Sequence, residues 1–175
     1  MNMIMFDLET LSTEPNAAIA SIGLVVFNEK KVIDRCQLNV DIESSMDAGL
    51  HVSGSTLKWW LKQDKEAIDP TFNDLNILDL NSALEVVTAS YHEYECEDVY
   101  GNGSIADIQW LNSAYKAIGQ RQPWKYYNEM CYRTIRAHLP AIEFVYDGTK
   151  HVAVDDAENQ ARYLIDVMQK HGLWK

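Results

Sequence analysis

The chain of 175 residues carries 15 Lys and Arg against 26 Asp and Glu, and its formal net charge of -11 argues against binding of nucleic acid by bulk electrostatics. Its 47% hydrophobic and 23% charged residues are typical of a globular protein and exclude disordered and fibrous classes, so we expect a single domain over residues 1–175. No apolar stretch approaches the roughly 18 residues of a membrane span, so no membrane partner is expected. Three widely spaced cysteines and the lack of a basic leader indicate a cytoplasmic protein with reduced thiols.

Three strands are predicted near the start of the chain. Met3 to Leu8 is a short apolar run, Ala17 to Phe27 is a longer run rich in Ile and Val, and Lys31 to Val40 alternates in part between apolar and polar residues. Short polar turns such as Asn28-Glu29-Lys30 join these strands, which favours an antiparallel meander.

The rest of the chain shows helical and strand patterns in alternation. Ser53-Gly54-Ser55 supplies capping residues for the first helix, and Gly101-Asn102-Gly103-Ser104 forms a turn between a strand and a helix. The predicted elements are a helix over Thr56 to Gln63, a helix over Asn81 to Ser90, a strand over Asp98 to Tyr100, a helix over Ile105 to Ile118 and a helix from about Val154 to His171. This order predicts an α/β fold with a mixed sheet flanked by helices.

Acidic residues stand at the ends of several of these elements. Asp7 and Glu9 end the first strand and, being two apart, point to the same face of the sheet. Asp107 lies in the first turn of a helix that follows a strand, and Asp156 lies in the last helix, five residues after His151. Each of these residues alone is commonly a solvated strand end, a capping acid or a surface histidine, so it is their combination that indicates a site.

The order and spacing of these residues resemble the DnaQ-like (DEDD) 3′-5′ exonuclease superfamily, in its DEDDh branch, where the last motif carries a histidine. Phe6-Asp7-Leu8-Glu9-Thr10 and the run Asp156-Ala157-Glu158 into Gln160-Ala161 sharpen the match. The resemblance implies a ribonuclease H-like α/β fold, with three antiparallel N-terminal strands followed by parallel strands.

A second set of motifs looks like the phage exonuclease A (DexA type) subgroup and related small bacterial 3′-5′ exoribonucleases. The set consists of Ser55-Thr56-Leu57-Lys58-Trp59-Trp60, Gln63 and the pair Arg133-Thr134. An acid often stands two places before the Arg-Thr pair in that subgroup, whereas Cys131 occupies the place here.

The resemblance also implies the chemistry of the site. Two divalent metal ions, Mg²⁺ or Mn²⁺, would be held by four carboxylates, those of Asp7, Glu9, Asp107 and Asp156. His151 would act as the general base towards the attacking water, and Thr10 would lie beside the terminal 3′-hydroxyl. Crowded acids repel one another without metal, so we expect raised carboxylate pKa values in the metal-free protein.

Two adjacent tryptophans and one arginine are the candidate substrate contacts. Trp59 and Trp60 on a helix face about 100° apart, so they cannot share one environment. We expect Trp60 to stack on a nucleobase, while two packed tryptophans are the alternative. Arg133 lies in a basic stretch with interleaved aromatic residues, a mixture that suits a groove for a single strand.

The expected function is a metal-dependent 3′-5′ exonuclease that releases nucleoside 5′-monophosphates from single-stranded DNA or RNA with a free 3′ end. One alternative is a catalytically silent module that binds nucleic acid or protein on the same fold. Another is a ribonuclease H-type endonuclease, which does not call for the histidine. The sequence leaves open the choice between DNA and RNA and the oligomeric state, a homodimer included.

The negative charge is unevenly distributed along the chain. Residues 66–115 contain ten acids and no Lys or Arg. Outside this segment and apart from Asp7, Glu9 and Asp156, basic residues outnumber acidic ones. We therefore expect modest, salt-sensitive affinity for short single strands rather than tight binding of duplexes.

Overall fold

The computed structural model describes residues 1–73 and 75–174, and Asp74 of the acidic segment lies outside these residues. They contain one five-stranded sheet. Its strands are β1 (Asn2–Thr10), β2 (Ile19–Phe27), β3 (Val32–Asn39), β4 (Cys96–Gly101) and β5 (Glu129–Cys131). Their order across the sheet is β3-β2-β1-β4-β5. The pairs β1–β2 and β2–β3 are antiparallel, whereas β1–β4 and β4–β5 are parallel. This arrangement confirms the predicted mixed sheet of the ribonuclease H-like type.

Seven α-helices occur in the described residues. They are α1 (Ile42–Asp47), α2 (Gly54–Trp60), α3 (Lys65–Phe72), α4 (Leu80–Glu93), α5 (Gln109–Ala117), α6 (Tyr132–His138) and α7 (Ala153–Lys170). A π-helical turn at Ser104–Ile108 precedes α5, so the helix predicted from Ile105 begins with wider turns than an α-helix. Four short elements, α1, α3, α6 and β5, have patterns too brief to be predicted.

The helices cover both faces of the sheet, which explains why β1 and β2 are almost continuously buried. Successive side chains of β1 alternate between two hydrophobic cores. Ile4, Phe6 and Leu8 pack in the core that includes α4 and α5. Met3 and Met5 pack in the core that includes α7. The next odd-numbered residues of β1 therefore face α7.

The start of α7 contacts the sheet closely at Gly23. A Cβ atom at this position would lie 2.1 Å from the carbonyl oxygen of Ala153 and 2.5 Å from the nitrogen of Val154. Gly23 is also the partner of Asp7 in the β1–β2 register. The missing side chain thus lets the first turn of α7 approach β1.

We expect Gly23→Ala to destabilise the protein by about 3 kcal/mol or more, because backbone atoms of α7 cannot yield as a flexible side chain can. Gly54→Ala is the matched control, since a Cβ there meets nothing within 4 Å. Urea unfolding of both variants measures the difference. Equal midpoints would show that the close contact does not constrain α7.

No helix in the described part of the chain is long and apolar enough to cross a membrane.

Candidate active site

Two acids of β1 face the last helix. Asp7 and Glu9 continue the odd-numbered face of the strand, and both are buried. The side-chain amide of Gln160 on α7 donates a 2.7 Å hydrogen bond to Oδ1 of Asp7. Packing of α7 against β1 thus brings residues more than 140 positions apart into direct contact.

Asp107 enters from the neighbouring parallel strand. β4 ends opposite Phe6, and the π-helical turn that follows returns Asp107 towards β1. Its Oδ1 accepts a hydrogen bond from the backbone N–H of Leu8 at 3.1 Å, and its Oδ2 accepts one from Gly103 at 3.2 Å. A Cβ on Gly101 would lie 3.0 Å from that of Asp107, so glycine at the end of β4 leaves room for this carboxylate.

Asp156 and His151 are joined by the backbone of the loop before α7. Oδ2 of Asp156 accepts a 2.7 Å hydrogen bond from the N–H of His151, and Oδ1 accepts one from the hydroxyl of Tyr146 at 2.9 Å. His151 has a φ of 65°, in the left-handed region that few non-glycine residues adopt. Its carbonyl accepts a bond from the hydroxyl of Thr71 at 3.4 Å. Hydrogen bonds at both the N–H and the carbonyl of His151 thus hold its left-handed backbone in place. Residues with such backbone conformations are common at functional sites.

These elements form a cavity of about 280 Å³, which we call the catalytic cavity after the predicted catalytic residues that line it. Its lining includes the five predicted catalytic residues, Asp7, Glu9, Asp107, His151 and Asp156. One ligand atom from each of Glu9, His151 and Asp156 lies within 4.8 Å of the others. The tertiary structure therefore brings together residues from β1, the turn after β4 and α7.

Burial dominates the electrostatics of the three most enclosed acids. Burial raises the pKa of Asp7 well above its ordinary value, and repulsion by Asp107, Glu9 and Asp156 raises it further. Burial, followed by repulsion from Asp156 and Asp107, raises the pKa of Glu9 to about 9. Burial also raises the pKa of Asp107, although the N–H groups of Gly103 and Leu8 oppose it. The expected raised pKa values are present, with burial as a larger cause than repulsion.

The donor set fits hard divalent cations. Asp7, Glu9, Asp107 and Asp156 offer carboxylate oxygens, which such ions prefer. In the part of the chain that the structure describes, none of these four acids forms an ion pair with Lys or Arg. The amide oxygen of Gln160 beside them is buried and has no hydrogen-bond partner among the described residues. Cations in the cavity would relieve the penalty of burying these charges.

We expect the metal-free protein to lose stability as the pH rises. The pKa of Glu9 is 4.5 in the unfolded reference and about 9 in the folded protein, so the folded state binds more protons between these values. The stability that protonated Glu9 contributes is therefore full below about pH 4.5 and is lost as the pH approaches 9. Divalent cation should reverse this loss, because it binds the folded state and replaces the protons.

Thermal unfolding in EDTA and in millimolar Mn²⁺ at about pH 5, 7 and 9 measures this effect. The difference between the two series should be largest at the highest pH. A melting temperature that depends on neither pH nor Mn²⁺ would contradict the assignment of the acids as metal ligands.

The structure corrects the expectation that Trp60 stacks on a base. Trp60 is 4% exposed, and its indole N–H donates a 3.0 Å hydrogen bond to the carbonyl of Thr10. Trp59 is 42% exposed, and its ring lies edge-on to that of His151 with centroids 5.2 Å apart. Burial of one tryptophan by the core leaves the other beside the cavity.

The other two substrate-contact candidates lie at or near the catalytic cavity. Arg133 is exposed and lines it. Thr10 is buried, and its hydroxyl donates a 2.8 Å hydrogen bond to the carbonyl of Ser12. Their contacts with substrate stay predictions.

Sequence reasoning assigned no role to two residues that hydrogen-bond directly to the acids, Gln160 and Tyr146. Gln160 follows Asp156 by four residues, so the helical period places both on one face of α7, and that signal was available. Tyr146 lies in a segment without helix or strand, and no local pattern relates it to Asp156. A contact made through the tertiary fold leaves no such signal.

Comparisons with known proteins agree with this geometry. The family model described as the 3′-5′ exoribonuclease Rv2179c-like domain matches residues 2–168. No curated protein sequence matches the chain significantly. The resemblance to the phage exonuclease A subgroup is not tested by these findings.

Three solved structures share the fold. The nuclease domain of 3′hExo, a DEDDh family member bound to rAMP, has a TM-score of 0.66 and 15% identity, covering 99% of this chain and 94% of its own. E. coli Exonuclease I with a dT13 oligonucleotide has a TM-score of 0.65 and 10% identity, and the match covers 98% of this chain and 42% of the Exonuclease I chain. Exonuclease X with 5′ overhanging duplex DNA has a TM-score of 0.59 and 15% identity, and the match covers 99% of this chain and 94% of Exonuclease X.

The family match extends over nearly the whole chain and includes all five residues of the catalytic cavity that the DEDDh pattern names. The chain therefore belongs to the family of Rv2179c-like 3′-5′ exoribonuclease domains and is a 3′-5′ exonuclease.

Proposed function

We propose that this exonuclease hydrolyses single-stranded DNA or RNA from the 3′ end to nucleoside 5′-monophosphates, with Mg²⁺ or Mn²⁺ as cofactor. The observation that carries the proposal is the convergence of four carboxylates and one histidine in a single open cavity. The family implies a dependence on divalent metal, and the donor set agrees with it. Nucleic acid or a nucleotide is bound in each of the three structural neighbours, which supports the substrate class.

The acids divide by position within the cavity. Glu9 and Asp156 lie beside His151, so together with Asp7 they would hold one cation. Asp7 and Asp107 would hold the second cation. When bound, two such ions neutralise charge on the phosphoryl oxygens and make water a better nucleophile near neutral pH.

His151 would take the proton of the attacking water at an imidazole nitrogen. Histidine exchanges protons near neutral pH, as a general base requires. The ring is exposed and borders the cavity, while the backbone N–H of the same residue holds Asp156. The loop thus couples the position of the base to that of a metal-binding carboxylate.

Incubation of an oligonucleotide labelled at its 5′ end with Mg²⁺ or Mn²⁺ tests this function. Matched DNA and RNA of one sequence should show which sugar is preferred. A ladder that shortens from the 3′ end, with nucleoside 5′-monophosphates as products, is the expected result. Internal cuts would favour a ribonuclease H-type endonuclease, and binding without cleavage would favour a silent module.

We expect Trp59→Ala to raise the KM for oligonucleotides about 5- to 150-fold, because stacking of a base on an exposed aromatic ring contributes about 1 to 3 kcal/mol. Leu61→Ala is the control, since Leu61 is an exposed apolar residue just after the same helix. A fall in kcat at unchanged KM would instead indicate that Trp59 acts on His151.

A further inference from the structure

A second cavity, of about 550 Å³, adjoins the catalytic one. Four residues, Asn102, His151, Asp156 and Gln160, line both cavities, so the two spaces meet at the catalytic histidine. We call it the aromatic cavity, because its distinctive lining consists of Tyr132, Phe144, Tyr146 and Tyr163, together with Arg136 and Lys150. None of these six residues has a role in the proposed chemistry beyond the hydrogen bond of Tyr146 to Asp156.

The walls of the aromatic cavity are fixed by packing. The ring of Tyr163 lies edge-on to the rings of Tyr132 and Phe144, with centroid distances of 5.9 and 5.5 Å. Tyr132 and Tyr163 are buried, and Phe144 is half-buried. Preformed aromatic surfaces beside a reacting phosphate suit a nucleobase, since every base can stack on such a ring.

Positive charge connects the two cavities along α6. Arg133 lines the catalytic cavity, and Arg136, one helical turn later, lines the aromatic cavity with its guanidinium 5.8 Å from the centre of the Tyr163 ring. The N–H of Arg133 donates to the carbonyl of Asn102, which fixes the start of α6 against the turn after β4. Side chains three apart on a helix lie on one face, so α6 offers cations to consecutive phosphates of one strand.

A separate aromatic surface, that of Trp59, is available for the terminal nucleoside. Trp59 contacts His151 from α2 and lines neither cavity, whereas the aromatic cavity is built from α6, α7 and the segment between them. An exonuclease must accommodate a nucleoside on each side of the phosphate that it cleaves. The two aromatic surfaces therefore suit the two flanking nucleosides.

We propose that the aromatic cavity binds the penultimate nucleotide of the substrate, with its base against Phe144, Tyr146 and Tyr163 and its 5′ phosphate at Arg136. This assignment rests on the proposed 3′-5′ exonuclease function and deepens it. It makes the protein an enzyme that contacts the base on the 5′ side of the bond that it cleaves, whatever the identity of that base.

The test removes the base from the substrate rather than a side chain from the protein. Wild-type protein is given three 5′-labelled oligonucleotides with Mn²⁺. One is complete, one carries a tetrahydrofuran abasic residue at the penultimate position, and one carries it one position further from the 3′ end. The penultimate abasic substrate should show about 10-fold lower kcat/KM for the first cleavage, and the third should match the complete one.

Protein variants locate the penultimate base. Phe144→Ala should lower kcat/KM on the complete substrate and remove most of the penalty of the penultimate abasic residue. Arg136→Ala should lower kcat/KM on the complete substrate, because Arg136 lines the aromatic cavity. Arg121→Ala is the control, since Arg121 is also exposed but lines neither cavity.

The outcomes separate this inference from the function beneath it. No cleavage of the complete oligonucleotide would overturn both. Cleavage at equal kcat/KM with and without the penultimate base would overturn the inference alone. An abasic penalty in Phe144→Ala as large as that in the wild-type protein would also overturn it. Weaker inhibition of Phe144→Ala by nucleoside 5′-monophosphate, without an altered abasic penalty, would assign the cavity to the product and also overturn the inference.

Discussion

Asp7→Asn is expected to abolish nucleotide release and to raise the melting temperature of the metal-free protein. Turnover is lost because Asp7 lies between the other acids and a neutral amide cannot bind divalent cations as a carboxylate does. Stability rises because the pKa of Asp7 is raised mainly by burial, so the folded protein no longer has to bury its charge near neutral pH. An asparagine oxygen can still accept the bond that Gln160 donates to this position.

Asp166→Asn is the control, because Asp166 is an exposed acid on α7 that does not line the catalytic cavity. Activity on a labelled oligonucleotide and thermal unfolding, in EDTA and in Mn²⁺, are measured for both variants. In Asp7→Asn the stabilisation by Mn²⁺ should also shrink. Retained turnover, or a lower melting temperature in EDTA, would contradict the role of Asp7 as a buried metal ligand.

His151→Ala is expected to lower kcat by about 10² to 10⁴ while metal binding persists, as the loss of a general base does. The backbone N–H that holds Asp156 remains in the variant. Alanine tolerates the φ of 65° poorly, whereas asparagine adopts this region more readily. His151→Asn therefore preserves the loop while removing the imidazole.

The two histidine variants together separate catalysis from structure. Both should lose kcat to the same extent and retain the Kd for Mn²⁺, measured by calorimetry. A loss of metal affinity in both variants would show that His151 is a ligand, consistent with its position near Glu9 and Asp156, and would contradict the role of base. A loss of metal affinity in His151→Ala alone would show that the backbone of the loop is responsible.

Local patterns were sufficient for strands β1 to β4 and for the long helices. The alternation and apolar runs near the start predicted β1 to β3, and α7 begins and ends within one residue of the predicted bounds. The short helices α1, α3 and α6 have six to eight residues, and such segments are stabilised by packing rather than by their own sequence. The π-helical turn at Asp107 likewise depends on the hydrogen bonds that its carboxylate makes with Leu8 and Gly103.

The order and spacing of the candidate catalytic acids and the histidine are visible in the sequence itself, because they follow the elements that carry them, and the structure brings these residues to one cavity. The sequence also determined that Asp7 and Glu9 share one face, since a strand has a period of two residues. The tertiary structure alone decided which tryptophan is exposed, how Tyr146 and Gln160 bind the acids, and that aromatic residues from α6 to α7 enclose a second cavity. The physical reason is that these features depend on contacts between distant segments: Trp60 is buried where α2 packs near Thr10, and Gln160 reaches Asp7 where α7 packs on the sheet at Gly23.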